Sequence, residues 1–151
     1  MEILPATPAD AAAILELQRL CYRSEAEIYG ELHLPPLLQT VEELRAEIES
    51  MVVLKAVEDN RVIGSVRGRE TGGTCHVGRL MVHPCRQDQG IGRLLMAGIE
   101  AHFPLADRFE LFTGDRSEKN LSLYAKLGYR EFDRQVQTEK VMLVYLRKEA
   151  R

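Results

Sequence analysis

The sequence predicts a mixed α/β domain, in which a central, mostly antiparallel sheet of about seven strands carries about four helices on its faces. Three observations predict it. Val52 to Glu58, Arg61 to Glu70 and Cys75 to His83 are consecutive strand-like runs joined by the turn signals Asp59-Asn60 and Thr71-Gly72-Gly73-Thr74, so they pair as hairpins. Val77 to Phe103 reads as a strand, a glycine-punctuated turn and a helix. That helical crossover makes the next run, Arg108 to Thr113, a parallel neighbour of the strand ending at His83. Finally, helix starts with capping residues stand at Thr7 and Thr40.

Taken in order, Glu2 to Pro5 is a short strand. Thr7-Pro8-Ala9-Asp10 then opens a helix: Thr7 caps, Pro8 suits the first helical position, and the Asp10 carboxylate favours the first turn. Ile14, Leu17, Leu20 and Cys21 form its apolar stripe. Gly30 to Gln39, with Pro35-Pro36, reads as an irregular connection. Thr40-Val41-Glu42-Glu43 is a capping box, and Val41, Leu44 and Ile48 face inward from the helix it opens. Gly64 and Gly68 leave little bulk on one face of the second hairpin strand, so another element or a ligand approaches closely there. Pro84 stops the strand ending at His83 because it has no N–H for the next rung. Ile91, Leu94, Leu95, Gly98, Ile99 and Phe103 recur at helical spacing until Pro104. Ser117 caps a helix to Leu127, which Gly128 ends. Tyr129 to Val136 and Lys140 to Arg147 are closing strands around a turn at Gln137-Thr138-Glu139.

With 151 residues the chain is read as one domain over residues 1–151, long enough to bury about two-thirds of its unfolded surface. A net charge of −3 without a basic arm excludes a general nucleic-acid binder. No apolar run approaches the ~20 residues of a membrane span, and the acidic N-terminus does not read as a signal peptide. Three cysteines, Cys21, Cys75 and Cys85, have no metal-ligand spacing, so the expectation is a cytoplasmic protein with no metal.

The turn Gln87-Asp88-Gln89-Gly90-Ile91-Gly92 carries the first chemical signal. Its glycines let the backbone curl into a helix N-terminus with bare N–H groups, which is an anion site of the kind phosphates occupy. Arg86 and Arg93 flank it. The P-loop pattern is absent, and G-x-G-x-x-G fails because position 95 is Leu. On the glycines alone, a purely structural turn remains open.

Leu80-Met81-Val82-His83-Pro84 followed by Gln87-x-x-Gly90-x-Gly92 resembles the acyl-CoA pyrophosphate motif of the GNAT superfamily of N-acetyltransferases. Asn120-x-x-Leu123-Tyr124-x-Lys126-x-Gly128-Tyr129 resembles the second half of that signature, and the order of elements is that of the GNAT fold. The resemblance covers nearly the whole chain. It implies splayed parallel strands at an acetyl-CoA site and transfer of acetyl from the thioester to a primary amine, in a small molecule or a peptide, by direct attack. Coenzyme A would be held by the N–H groups of Gln87, Asp88, Gln89, Gly90, Ile91, Gly92 and Arg93, and its pantetheine arm by the backbone of Leu80, Met81 and Val82. The family's turn often has Gly where this chain has Asp88, and an acidic side chain there is expected to weaken cofactor binding. Many members carry Asn seven residues before the Tyr, where this chain has Ser117. Asn120, one helical turn from Tyr124, is the other candidate for that contact.

By the same resemblance Tyr124 serves the departing thiolate. A phenol near pKa ~10 giving its proton to a thiolate near ~8.5 goes uphill by about 2 kcal/mol. Tyr124 is therefore read first as a hydrogen-bond donor, and as a full acid only if its pKa is lowered. Some branches place a Glu base on the strand before the turn; that position is His76, with Glu70 as a second candidate. The acceptor is expected beside the loop after the first helix, where Tyr22, Glu25, Glu27, Tyr29 and Glu31 would attract a cationic amine. A relay through Cys85 has no evident base except His83. Two other readings stand beside the transferase: a catalytically silent acyl-CoA-binding sensor or regulatory module, and an interaction protein in which the turn is structural. Two copies could associate through the C-terminal strands as a homodimer.

Overall fold

A computed structural model describes residues 1–150, and one seven-stranded sheet organises it. The strands are β1 (Glu2–Pro5), β2 (Val52–Glu58), β3 (Arg61–Thr71), β4 (Thr74–Val82), β5 (Arg108–Gly114), β6 (Arg130–Thr138) and β7 (Val141–Glu149). Their order is β1-β2-β3-β4-β5-β7-β6, and every neighbouring pair is antiparallel except β4 and β5. The expected mixed, mostly antiparallel sheet is present, with the parallel pair where the helical crossover puts it.

Five helices cover its faces: α1 (Ala11–Tyr29), α2 (Pro35–Leu38), α3 (Val41–Ser50), α4 (Ile91–Ala101) and α5 (Glu118–Lys126). Before α1, Pro8–Asp10 forms a 3-10 turn in which the Thr7 N–H donates to Asp10 Oδ2 at 2.8 Å. Thr40 closes its capping box on Glu43 through bonds of 3.2 and 2.9 Å. The segment from Gly30 to Gln39, expected to be irregular, holds the single turn α2; Pro35 and Pro36 preset φ at helix positions where a missing N–H costs nothing. Ser117 does not cap α5, because its hydroxyl is engaged elsewhere.

The core lies on both sheet faces. On one, Leu95, Met96 and Ile99 of α4 and Tyr124 of α5 pack on Leu54, Val66, Val77 and Leu111. A Cβ at Gly68 would come within 2.8 Å of Phe103 and 2.9 Å of Ile99, so the bare strand face is where α4 seats. On the other face, Ile14, Leu15 and Leu17 of α1 and Leu44 and Ile48 of α3 pack on Val53 and Met81.

A buried polar hub ties that second layer to the sheet. Arg67 of β3, only 3% exposed, donates to Glu47 Oε2 of α3 at 2.7 Å, to Gln39 Oε1 at 3.1 Å and to Gln18 of α1. Gln18 Nε2 in turn donates to the Pro36 carbonyl of α2 at 2.8 Å. Desolvation pushes the guanidinium down to about 10, with Glu47 opposing it, so the group stays charged at neutral pH. Removing one member of such a network strands the others. Arg67→Ala should therefore cost about 3 kcal/mol in urea unfolding, against about 1 kcal/mol for loss of the cap in Thr40→Ala. Equal losses would show that the hub does not clamp the helices.

Candidate active site

The site starts from one extra residue in β4. Ser65 pairs with Met81 and Arg67 with Gly78, so two steps along β3 match three along β4. The surplus is a β-bulge in which Arg79 takes a left-handed φ of 52°. A bulge bends its strand and sharpens the twist. On the other side, β4 pairs with β5 only as far as His76 opposite Glu110, and β5 continues to Gly114 against β7 alone. From Val77 to Val82, β4 therefore presents a free edge.

The amides on that edge can be assigned. His83 N–H donates to the Ile63 carbonyl in β3 at 2.8 Å, so by alternation Val82 and Leu80 turn their amides away from β3, toward the opening. Met81 is the exception among the three expected contacts: its backbone faces β3 and its side chain is buried under α1 and α3. At the end of the strand, Gly90 (φ 82°) turns the chain into α4. The N–H groups of Ile91, Gly92 and Arg93 begin the helix with no side-chain cap before them. The two glycines differ in purpose. Gly90 supplies the left-handed backbone with open space around it, whereas a Cβ at Gly92 would press on Leu123 at 3.2 Å.

Around this cradle the side chains turn outward. Asp88 has φ 61°, the left-handed conformation that glycine adopts freely and Asp tolerates, which accounts for the family's preference at this position. Its carboxylate is exposed and paired with Lys119 at 3.4 Å, and Lys119 also reaches Gln87 at 3.1 Å. Arg86 pairs with Glu58 and donates to Gln89 at 3.0 Å, so it is committed to the β2–β3 turn; Arg93 is exposed.

A cavity open to solvent lies in the V between β4 and β5. α5 supplies Tyr124, Asn120 and, just before it, Ser117, while α1 supplies Tyr22, Glu25 and Tyr29. Apolar walls come from Leu34, Pro36, Val141 and Leu143. The Tyr124 ring is buried, and its hydroxyl opens on the cavity without a protein hydrogen bond. Burial pushes its phenol well above the ordinary value, with Tyr22 and Glu25 adding to the shift. Proton donation from this phenol is then still further uphill than from a free one, while hydrogen-bond donation is unimpeded.

Glu25 is held by a directed chain. Arg116 N–H donates to Tyr29 Oη at 2.8 Å, Tyr29 and Ser117 hydroxyls lie 3.3 Å apart, and Ser117 donates to Glu25 Oε2 at 2.7 Å. The single Ser117 proton goes to Glu25, so Tyr29 must donate to Ser117. Gly114 makes this possible, since a Cβ there would collide with the Tyr29 hydroxyl. Ser117 thus belongs to the α1 side of the cavity, with Glu25 and Tyr29. Asn120, on the cavity wall, donates from Nδ2 to Thr113 Oγ1 at 3.4 Å.

The two expected bases do not join this assembly. His76 is exposed where β4 and β5 are still paired, and Glu70 is exposed near the β3–β4 hairpin tip. Neither lines the cavity. Glu27 and Glu31 also stay outside it. His83 Nδ1 accepts from Cys85 N–H at 3.1 Å, so it is not poised as a base for that thiol. Sequence reasoning missed Gly78, Arg79, Phe112, Thr113 and Gln137 on the cavity wall. The glycine at 78 was the one local hint of a bulge. Among the described residues no cluster is placed to hold a metal ion, and no helix is long and apolar enough to cross a membrane.

A family model described as acetyltransferase (GNAT) domain matches residues 26–150, so the chain belongs to the GNAT acetyltransferase family. It is 28% identical over 121 residues to the UPF0157 protein YqkA of Bacillus subtilis (strain 168), covering 80% of this chain and 35% of that protein. The chain thus spans about a third of that relative's length. Among solved structures it is similar to the paia N-acetyltransferase of Thermoplasma acidophilum in complex with coenzyme A, with TM-score 0.81 and 18% identity over 98% of each chain. It is also similar to the ribosomal-protein-alanine N-acetyltransferase of Brucella melitensis, with TM-score 0.76 and 20% identity over 99% of each chain. An N-acetyltransferase of Staphylococcus aureus Mu50 gives TM-score 0.80 and 15% identity over 99% of this chain and 98% of that one. At these identities the likeness is one of fold.

The thiols offer a check on the site's packing. Cys21, whose Sγ lies 3.4 Å from the Val82 carbonyl, is pushed up to about 11 by burial, and buried Cys75 to about 12 by the same cause. Cys85 is exposed. A thiol reagent at pH ~8 should label Cys85 alone on a fast time scale, since only accessible thiolate reacts. Prompt labelling of Cys21, read by peptide mass spectrometry, would mean that α1 does not pack on the end of β4 at Val82.

Proposed function

We propose that this GNAT chain is an acetyl-CoA-dependent N-acetyltransferase, acting over residues 1–151 as one domain, that moves an acetyl group to a primary amine by direct attack. The observation that carries the reading is convergence. Leu80 on the free edge of β4, the unpartnered Tyr124 hydroxyl and the Glu25 carboxylate border one cavity, and the uncapped start of α4 lies next to Leu80 and Val82 at Gly92.

The residues present fit the donor. The helix start offers three N–H groups and the positive end of a dipole to a pyrophosphate, and the strand edge offers amides to a pantetheine arm as a further strand would be received. Bound there, acetyl-CoA supplies an acetyl group already activated as a thioester. An edge amide of β4 polarises the carbonyl, a contact worth about 3 kcal/mol when one donor acts alone. Tyr124 donates a hydrogen bond to the departing sulfur from a desolvated position, where such a bond is strong. Glu25, fixed by Ser117 through one oxygen, holds the amine through the other and takes its proton directly or through water. His76 and Glu70 do not line the cavity, so Glu25 is the carboxylate at hand there.

The silent-module alternative drew on Asp88 and on the missing strand carboxylate. Asp88 stands outside the cradle, and Glu25 puts a carboxylate at the cavity from α1 instead.

Free-thiol release from acetyl-CoA against pooled amines tests the reading. Tyr124→Phe should lower turnover at least tenfold, about 1.4 kcal/mol of transition-state stabilisation, with little change in coenzyme A affinity. Unchanged turnover would remove Tyr124 from the mechanism, and thiol release from no pool would overturn the transferase.

A further inference from the structure

Two formally charged side chains line the cavity, Glu25 from α1 and Arg79 from the β4 bulge, and they carry opposite signs. Neither forms an ion pair with any described residue, nor with the other. One Glu25 oxygen is used by Ser117 and its second has no protein partner. The Arg79 guanidinium has no hydrogen bond to the protein at all; it stands 6.0 Å from the centroid of the Tyr22 ring. The Tyr22 phenol feels both charges, so both stand near that side chain. Arg79 is held there by the left-handed φ of 52° that the bulge imposes, a conformation that costs energy in a residue with a Cβ. Beside this polar pair the wall is apolar, from Leu34, Pro36, Phe112 and Leu143.

An unpaired carboxylate and an unpaired guanidinium sharing a partly desolvated space match a ligand that carries both complements. We propose that the acceptor is a zwitterion: a free amino acid with an apolar side chain, its nitrogen at Glu25 and its carboxylate at Arg79. The inference rests on the acceptor side of the proposed function. A guanidinium receives a carboxylate through two parallel N–H donors, so it reads the planar group as well as the charge. A diamine would bring its second ammonium against Arg79. A peptide amine carries its nearest carboxylate at the far end of the chain or on a side chain, outside this geometry. Attack by the amine nitrogen forms the amide bond, the carbon–sulfur bond breaks with its electrons to sulfur, and the amine proton leaves through Glu25 or water.

The test uses leucine, methionine and phenylalanine, the amides of the same three, and putrescine. Binding of each to the protein saturated with coenzyme A is measured by calorimetry, and thiol release from acetyl-CoA is measured in parallel. At least one amino acid should bind about tenfold or more tightly than its own amide, the usual worth of a charge-assisted hydrogen bond, and putrescine should bind weakest. Arg79→Met should bring the acid-to-amide ratio to about one, and Arg79→Lys should keep part of it, with coenzyme A binding and the thermal midpoint confirming that both variants fold. Equal or tighter binding of the amides or of putrescine would overturn the proposal, as would no amino-acid binding or a ratio that survives Arg79→Met. Amino-acid binding without thiol release would leave the zwitterion site standing as a binding site and remove the transferase reading; release with putrescine or the amides alone would do the reverse.

Discussion

One surplus residue in β4 sets the shape of everything functional here. By letting β4 take three steps where β3 takes two, the bulge at Arg79 bends the strand away from β5 after three parallel pairs. A sheet interior ordinarily satisfies every backbone N–H within its ladders. Here the edge inside the sheet stays open, walled by helices on both sides rather than paired. The exposed donors are thus a consequence of register. α5 can place Tyr124 at the V from one face only because the strands part, and α1 can place Glu25 there from the other.

Much of this was legible in the sequence, and for identifiable reasons. Strand alternation, the capping box at Thr40 and the crossover from Val77 to Arg108 are local patterns, and the sheet follows from them. The glycine turn was legible because backbone chemistry restricts residue choice at positive φ, as Gly90 shows. At Asp88 the sequence shows the acidic residue but neither its left-handed backbone nor the turn of its side chain toward Lys119. His76 and Glu70 illustrate the harder case. Counting residues along β4 takes no account of a bulge or of where pairing with β5 ends, and both decide which residue reaches the cavity. Arg79 and Gly114 were invisible for the same reason: each matters through what approaches it across the fold.

Electrostatics and packing pull the cavity in different directions. The aromatic rings of Tyr22, Tyr29 and Tyr124 exclude water, which strengthens any hydrogen bond made there and raises the cost of ionising the phenols. The site answers by committing polar groups to fixed partners. Ser117 directs its proton at Glu25, and the Arg67 hub fixes α2 through Gln18, which in turn fixes the wall at Pro36. Among the groups left uncommitted are the Tyr124 hydroxyl, the Arg79 guanidinium and the second Glu25 oxygen, and these are ones that a bound pair of substrates would meet.

The central claim is that the free edge of β4 and the start of α4 form one continuous binding surface. Amide proton–nitrogen NMR spectra recorded during titration with coenzyme A address it directly. The account predicts that the amides of Leu80, Val82, Ile91, Gly92 and Arg93 shift together along one saturable curve, while that of Met81, bonded to β3, moves little. Shifts confined to one of the two segments, or found only at the distant edges β1 and β6, would contradict it.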